Sequence, residues 1–221
     1  MNEDSAPRCE FDHLVLGAST CREGADWFQQ LSGIELPVGG KHPLMATHNH
    51  LSALSDNSFL EIIAIDPDAS AVPRARWFAL DDPMHRERLQ KRPRLTTWVA
   101  RTSNLDAALE SAARAGIDAG IAVTQQRDDL TWRLSLRPDG SLACEGLFPI
   151  LIEWPAGVNP VARMNDQGIR LDVLRLTYPD VHFLEQALQA VGANELVSVS
   201  QGDASLTAQL SAGELHFQLT N

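Results

Sequence analysis

One pattern limits the folds open to this chain more than any other: a short apolar strand, a capped helix, a helix-stopping glycine and then three further strands, met three times over. Gly33, Gly116 and Gly192 close the predicted helices at intervals of roughly 80 residues. A unit of this kind has an apolar face that it cannot bury alone. Copies of it therefore have to share a core.

The first unit opens with Phe11-Asp-His-Leu-Val-Leu-Gly17, short and mostly apolar, which reads as a strand. Thr20-Cys-Arg-Glu23 has the form of a capping box, and Ala25, Phe28 and Leu31 follow at helical spacing. Pro37-Val-Gly-Gly40 reads as a loop, with one more short strand around Ile34 to Leu36. His48 to Leu54 and Phe59 to Ile65 read as a hairpin around Ser55-Asp-Asn-Ser58. The second unit has a strand at Leu95 to Ala100, a cap between Ser103 and Asp106, and a helix stripe of Leu105, Ala108, Leu109 and Ala112. Strands follow at Ile121 to Thr124, Leu130 to Leu136 and Phe148 to Trp154. The third has a strand at Val173 to Thr177, a helix with Pro179 in its first turn, and strands at Leu196 to Ser200, Leu206 to Leu210 and Glu214 to Leu219.

The fold class is therefore α+β. The boundaries fall at 1–66 for the first βαβββ unit, 67–94 for a long connecting segment with short helices, 95–156 for the second unit and 170–221 for a third, C-terminal βαβββ-like unit. Three is an odd number for units that pair. The third either packs on the connecting segment or buries its edge in a homodimer. A connection as long as 67–94 often serves as a lid or an oligomer contact, and equally as a linker folded onto the core. Its Trp77-Phe78 pair suits a pocket wall or core packing.

The 221 residues carry a net charge of −11, which makes a nucleic-acid or anionic membrane surface an unexpected partner. No apolar run approaches the roughly 20 residues of a membrane span, and the first residues lack the apolar stretch of a secretory signal. Three cysteines, Cys9, Cys21 and Cys144, without metal-ligand spacing, read as reduced thiols, and the expected location is cytoplasmic. Cys21 opens a helix, where the dipole can lower a thiol pKa; a spectator role is the plainer reading. No dinucleotide, phosphate-loop, serine-hydrolase or zincin motif is present.

The chemistry rests on ionisable residues in strands. By alternation His13 shares a face with Phe11 and Val15, and Glu61 with Phe59 and Ile63. A carboxylate within Phe-Leu-Glu-Ile-Ile needs a partner, a metal or a raised pKa. Glu153, in Leu-Ile-Glu-Trp, takes the matching place in the second unit. Either these acids converge on a site with His13, or they lie on a solvated face and pair with an arginine such as Arg133. Sliding one unit onto the other puts Thr97 opposite His13, and Thr97 is a poor ligand for a transition metal. The expected ligand set is then His13, Glu61 and Glu153, open to Mn, Fe, Ni, Zn or Mg, or to no metal. His48 and His50 share one strand face and Asn49 takes the other. Leu51 and Ala53 beside Asn49 look suited to pack on a helix, which turns the histidines toward the pocket as candidate catalytic bases. Asn49, Trp132 and Thr97 are candidate substrate contacts. His42, in Gly39-Gly-Lys-His-Pro43, reads as loop-borne.

Asp12-His-Leu-Val, Leu60-Glu-Ile-Ile, Gly39-Gly-Lys-His-Pro43, Thr47-His-Asn49 and Phe148-Pro-Ile-Leu-Ile-Glu-Trp-Pro155 together resemble the vicinal oxygen chelate superfamily, and within it the glyoxalase-like domain group. The match covers the first two units. The resemblance implies tandem βαβββ units forming a cupped mixed sheet around a central site, with metal positions on the first and last strands of each unit. These fall on His13, Glu61 and Glu153, with Thr97 breaking the pattern. It implies a metal-dependent lyase, isomerase or dioxygenase acting on a small oxygenated metabolite. The superfamily also holds metal-free proteins, so a small-molecule binding protein with the same cup is the alternative. A scaffold with a degenerate cup is a third.

Overall fold

The computed structural model describes residues 7–127 and 129–221. The first unit is β1 (Glu10–Gly17), α1 (Cys21–Ser32), β2 (Val38–His42), β3 (Thr47–Ala53) and β4 (Phe59–Ile65). The connecting segment holds α2 (Pro83–Lys91). The second unit is β5 (Arg94–Arg101), α3 (Leu105–Arg114), β6 (Ile121–Arg127), β7 (Leu130–Leu136) and β8 (Ile150–Glu153). Local chemistry sets the helix ends. The Thr20 hydroxyl accepts from the Glu23 N–H, and Gly33 takes φ 72° at the stop. Glu23 pairs with the Ser19 hydroxyl instead of closing the reciprocal half of a capping box. Asn104 caps α3.

The strand after α1 begins at Val38, later than the sequence suggests, and runs through the glycines that read as a loop. An edge strand tolerates such residues, because only one side of its ladder is paired.

The two units form one eight-stranded sheet in the order β2-β3-β4-β1-β5-β8-β7-β6. In each, the first strand lies parallel to the last, β1 on β4 and β5 on β8. The units join along the antiparallel β1–β5 seam, where Leu14 faces Trp98 and His13 faces Val99. The sheet curls until its edge strands meet. A Cβ on Gly40 of β2 would lie 2.8 Å from Cδ of Arg127 on β6, so the edges come close here. The curl creates two faces. Leu14, Leu16, Leu60, Ile62 and Trp98 pack outward with Phe28 of α1. Val15, Ile63, Val99, Trp132 and Leu134 line the inner face, together with Trp77, Phe78 and Leu80 from the connecting segment.

The third unit has β9 (Ile169–Tyr178), α4 (Val181–Ala190), β10 (Ser198–Gln201), β11 (Ser205–Ala212) and β12 (Leu215–Thr220). Pro179 precedes the Asp180 cap, just outside the helix. The element order repeats but the topology does not. Its sheet runs β10-β9-β11-β12, with β9 parallel to the strand immediately after its helix. It packs on the outer side of the seam, β11 and β12 against β5 and α4 against α3. Ile169, Leu174, Leu206 and Leu219 thereby join the core that holds Trp98.

Candidate functional site

The site grows from a bulge. Between Phe11 and His13 the β1–β5 register slips by one residue, leaving Asp12 as the extra residue of β1. The slip corrects the expectation that Phe11 shares a face with His13: Phe11 turns outward and stacks on Trp98 at 6.4 Å. It also lets adjacent side chains meet. His13 Nδ1 lies 2.7 Å from Asp12 Oδ1, and the Trp154 indole N–H donates to Asp12 Oδ2 at 3.0 Å. Asp12 is fully buried. Its negative charge is held by these two donors, with the Arg101 guanidinium 3.8 Å away. The pairing fixes the proton of His13 on Nδ1 and leaves Nε2 facing inward.

Nε2 stands 3.7 Å from Glu61 Oε2. The His13 ring stacks on Phe59 with centroids 4.2 Å apart. Glu61 is buried at 5% exposure, and burial raises its pKa; the nearby His13 and the Asn49 hydrogen bond oppose the rise. The Asn49 amide is oriented at both ends. Its Oδ1 accepts from Gly40 N–H at 2.8 Å, so its Nδ2 donates to Glu61 Oε1 at 2.6 Å. The same Nδ2 lies 3.4 Å from His42 Nε2, and His42 Nδ1 lies 3.1 Å from the Thr47 hydroxyl. Burial pushes the His42 pKa down to about 3, helped by the charge of Arg127. His42 is therefore neutral, and its Nε2 is an acceptor. His42 stands at the end of β2, not in a loop.

These groups open into a cavity of about 50 Å³, room for about four waters. The walls are aromatic and aliphatic. Trp132 and Trp154 have ring centroids 5.3 Å apart, and Trp77 meets His42 edge-on at 5.0 Å. The second unit adds Val99, Leu134 and Ile152, and at one side Arg127. Trp77 and Phe78 are thus both pocket wall and buried packing.

The structure brings together His13, Glu61, Asn49 and Trp132 from the residues expected in the site. It separates the others. Ile152 and Trp154 line the cavity, so Glu153 between them faces outward, where it accepts from Arg133 at 2.9 Å. Glu61 sits beside Val15, two residues on from His13, and Ile152 sits beside Arg101, two residues on from Val99, so Ile152 holds the counterpart position. The expected match with Glu153 is one residue out of register and on the wrong face. Thr97 is fully buried, donates to the Gly146 carbonyl at 2.9 Å and does not line the cavity. His48 and His50 also point away. Asn49 and Leu51 hold the cavity side of β3, and His50 Nδ1 is 2.9 Å from the Leu36 carbonyl. Their expected part as bases in the pocket is corrected by this alternation. Cys21 is no nucleophile, since burial pushes its thiol up to about 12.

A resident transition metal does not suit these donors. His13 and Glu61 face each other, but the Asn49 amide stands between Glu61 and His42 Nε2 and is spent on Glu61, and Val99 and Ile152 complete the wall. Among the described residues, no group of three or more His, Cys, Asp or Glu side chains is placed to hold an ion. The expected centre of His13, Glu61 and Glu153 does not assemble. Asp12, Arg127 and Trp154 are the site residues that sequence reasoning left without this role; His42, open in the sequence to a ligand contact or to backbone capping, lines the cavity. The adjacency of Asp12 to His13 carried the only signal, and a bulge was needed to make it count.

Two βαβββ units curled into one cup, with ionisable groups on the first and last strands of the first unit, define a vicinal oxygen chelate fold. The sequence matches the glyoxalase-like domain family over residues 11–192. The chain belongs to that family. No protein with a curated description matches its sequence. Among solved structures it is similar to a hypothetical protein from Staphylococcus aureus, with 13% identity, a TM-score of 0.57, and coverage of 95% of this chain and 84% of that one. It is similar also to a variant of 4-hydroxymandelate synthase from Streptomyces coelicolor, with 14% identity, a TM-score of 0.50, and coverage of 97% and 63%. Methylmalonyl-CoA epimerase from Mycobacterium tuberculosis matches with 16% identity, a TM-score of 0.45, and coverage of 70% and 93%. At these identities the likeness is one of fold. No helix among the described residues is long and apolar enough to cross a membrane.

Proposed function

We propose that this protein is a proton-transfer enzyme, an isomerase or lyase acting on a small molecule, and that His13 and Glu61 carry the reaction without a resident metal. The observation behind this is the line Asp12–His13–Glu61, in which an oriented imidazole nitrogen faces a desolvated carboxyl group across 3.7 Å. With its proton on Nδ1, His13 offers the Nε2 lone pair to a substrate C–H. The proton moves to Nε2, the bonding pair stays on the substrate, and Asp12 stabilises the imidazolium. Glu61, whose raised pKa favours the protonated form, returns a proton from Oε2 to the neighbouring atom; Asn49 holds the other oxygen. The apolar walls keep water from competing.

The test is solvent exchange. Small carbon acids are incubated with the protein in deuterium oxide and followed by NMR. Deuterium incorporation by the wild type, lost in Glu61→Gln and His13→Gln, supports the reading. Bound compounds that exchange no faster than in buffer, or a Glu61→Gln variant as fast as the wild type, would sink it.

Binding without turnover is the second reading, favoured by the purely apolar lining at Val99, Leu134 and Ile152. The same experiment separates the two, because a sequestering protein binds its ligand and leaves every C–H in place.

A further inference from the structure

Arg127 is the only lysine or arginine lining the cavity among the described residues. Its side chain forms no ion pair and no hydrogen bond with any described residue, although acidic side chains are numerous in this chain. Other arginines are paired: Arg133 with Asp106 and Glu153, Arg137 with Asp118, Arg163 with Asp129, Arg170 with Asp166. Arg127 is half-buried. A Cβ on Gly40 would approach its Nη1 to 3.0 Å and its Cδ to 2.8 Å, so the side chain crosses the gap between the edge strands close against Gly40. The position is electrostatically connected to the site, since its charge bears on both His42 and Glu61. A half-buried guanidinium beside a cavity selects an anion, and its planar fork suits a carboxylate.

We infer that Arg127 is the specificity-determining residue of the cup and that the ligand is a small monocarboxylate with a flat apolar body. The carboxylate sits on Arg127 and the body lies against the Trp132 and Trp154 rings that line the cavity, toward His13 and Glu61. This inference deepens the proton-transfer reading by giving its substrate class, and rests on the same cavity. A cationic ligand is disfavoured by the same guanidinium.

The experiment is a comparison of benzoate, benzamide and benzylammonium by quenching of tryptophan fluorescence, on the full chain. Benzoate is expected to bind at least about tenfold more tightly than benzamide, and benzylammonium more weakly than either. Arg127→Gln is expected to bring benzoate down to the level of benzamide, and Arg127→Lys, which keeps the charge and loses the fork, to retain part of the preference. Equal binding of benzoate and benzamide by the wild type, tighter binding of benzylammonium, no benzoate binding at all, or a preference that survives in Arg127→Gln would overturn the inference. Failure of the proton-transfer reading looks different: benzoate binds in an Arg127-dependent way, while no carboxylate tried exchanges a proton.

Discussion

Val99 stands directly across the β1–β5 seam from His13, and the contrast between the two divides the cup. The first unit supplies acid, imidazole and amide; the second supplies aliphatic and aromatic wall and a single guanidinium. Duplication produced two similar halves, and the site uses them for different work. Replacing Val99 by histidine would place a second imidazole beside His13 and complete three convergent donors with Glu61. Val99→His is expected to bind cobalt(II) or nickel(II) and to gain several degrees in thermal midpoint with either ion. The wild type should gain none. A wild type stabilised equally would contradict the donor argument.

Glu61 sets one slope of stability against pH. Its folded pKa lies above the ordinary 4.5. Its contribution is therefore fully present below that value and is lost as pH rises through the folded pKa. Urea unfolding from about pH 5 to about pH 8 should show this loss in the wild type and not in Glu61→Gln. If the two proteins keep parallel profiles, the carboxyl group is not desolvated as described.

His42 sets the opposite slope. Its pKa falls from 6.5 to about 3 on folding, so its contribution is present above 6.5 and lost as pH falls toward 3. The size is on the order of 4 kcal/mol across that window. His48 and His85 are also lowered by burial and lean the same way. His42→Gln should flatten the acid limb of the same urea series; an unchanged limb would assign it to other groups.

Asp12→Asn keeps the shape of the bulge and removes the charge that fixes the imidazole. Long-range proton–nitrogen NMR should show His13 leaving the Nδ1–H form, and unfolding should cost about 1–3 kcal/mol less because a buried donor has lost its acceptor. Any proton-exchange activity should fall by about 10²-fold or more. An unaltered tautomer would remove Asp12 from the proposal.

Gly39→Ala tests the edge strand. Its Cβ would fall 2.2 Å from Asn49 Oδ1, so the amide that holds Glu61 has to move. The expected cost is about 1–3 kcal/mol, together with a shift in the titration of Glu61 followed by carboxyl carbon NMR. A variant as stable as the wild type with an unmoved Glu61 would show that the strand yields freely.

The duplication, the capped helices and the pairing of His13 with Glu61 were legible because each depends on local pattern: strand period, a cap three residues from its donor, an acid stranded among isoleucines. What was not legible depends on register. One slip in β1 brings Asp12 to His13, and a one-residue choice in β8 decides whether Ile152 or Glu153 faces inward. Both look equally good in a sequence that reads Leu-Ile-Glu-Trp. Strand β3 was ambiguous for another reason: both of its faces carry polar residues, so alternation alone could not say whether Asn49 or His48 and His50 would turn inward. Strand β2 hid behind its glycines, which are there for the close approach of Asn49 and Arg127 and not for a turn.

The covering of the seam by the C-terminal sheet has its own effect. Trp98 and its neighbours anchor a skeleton built from all three repeats, whereas Val99, Leu134 and Ile152 belong to a separate, thinner layer. Substitutions that retune ligand preference can accumulate in that layer while the framework beneath stays rigid, which leaves this chain unusually free to change what it recognises.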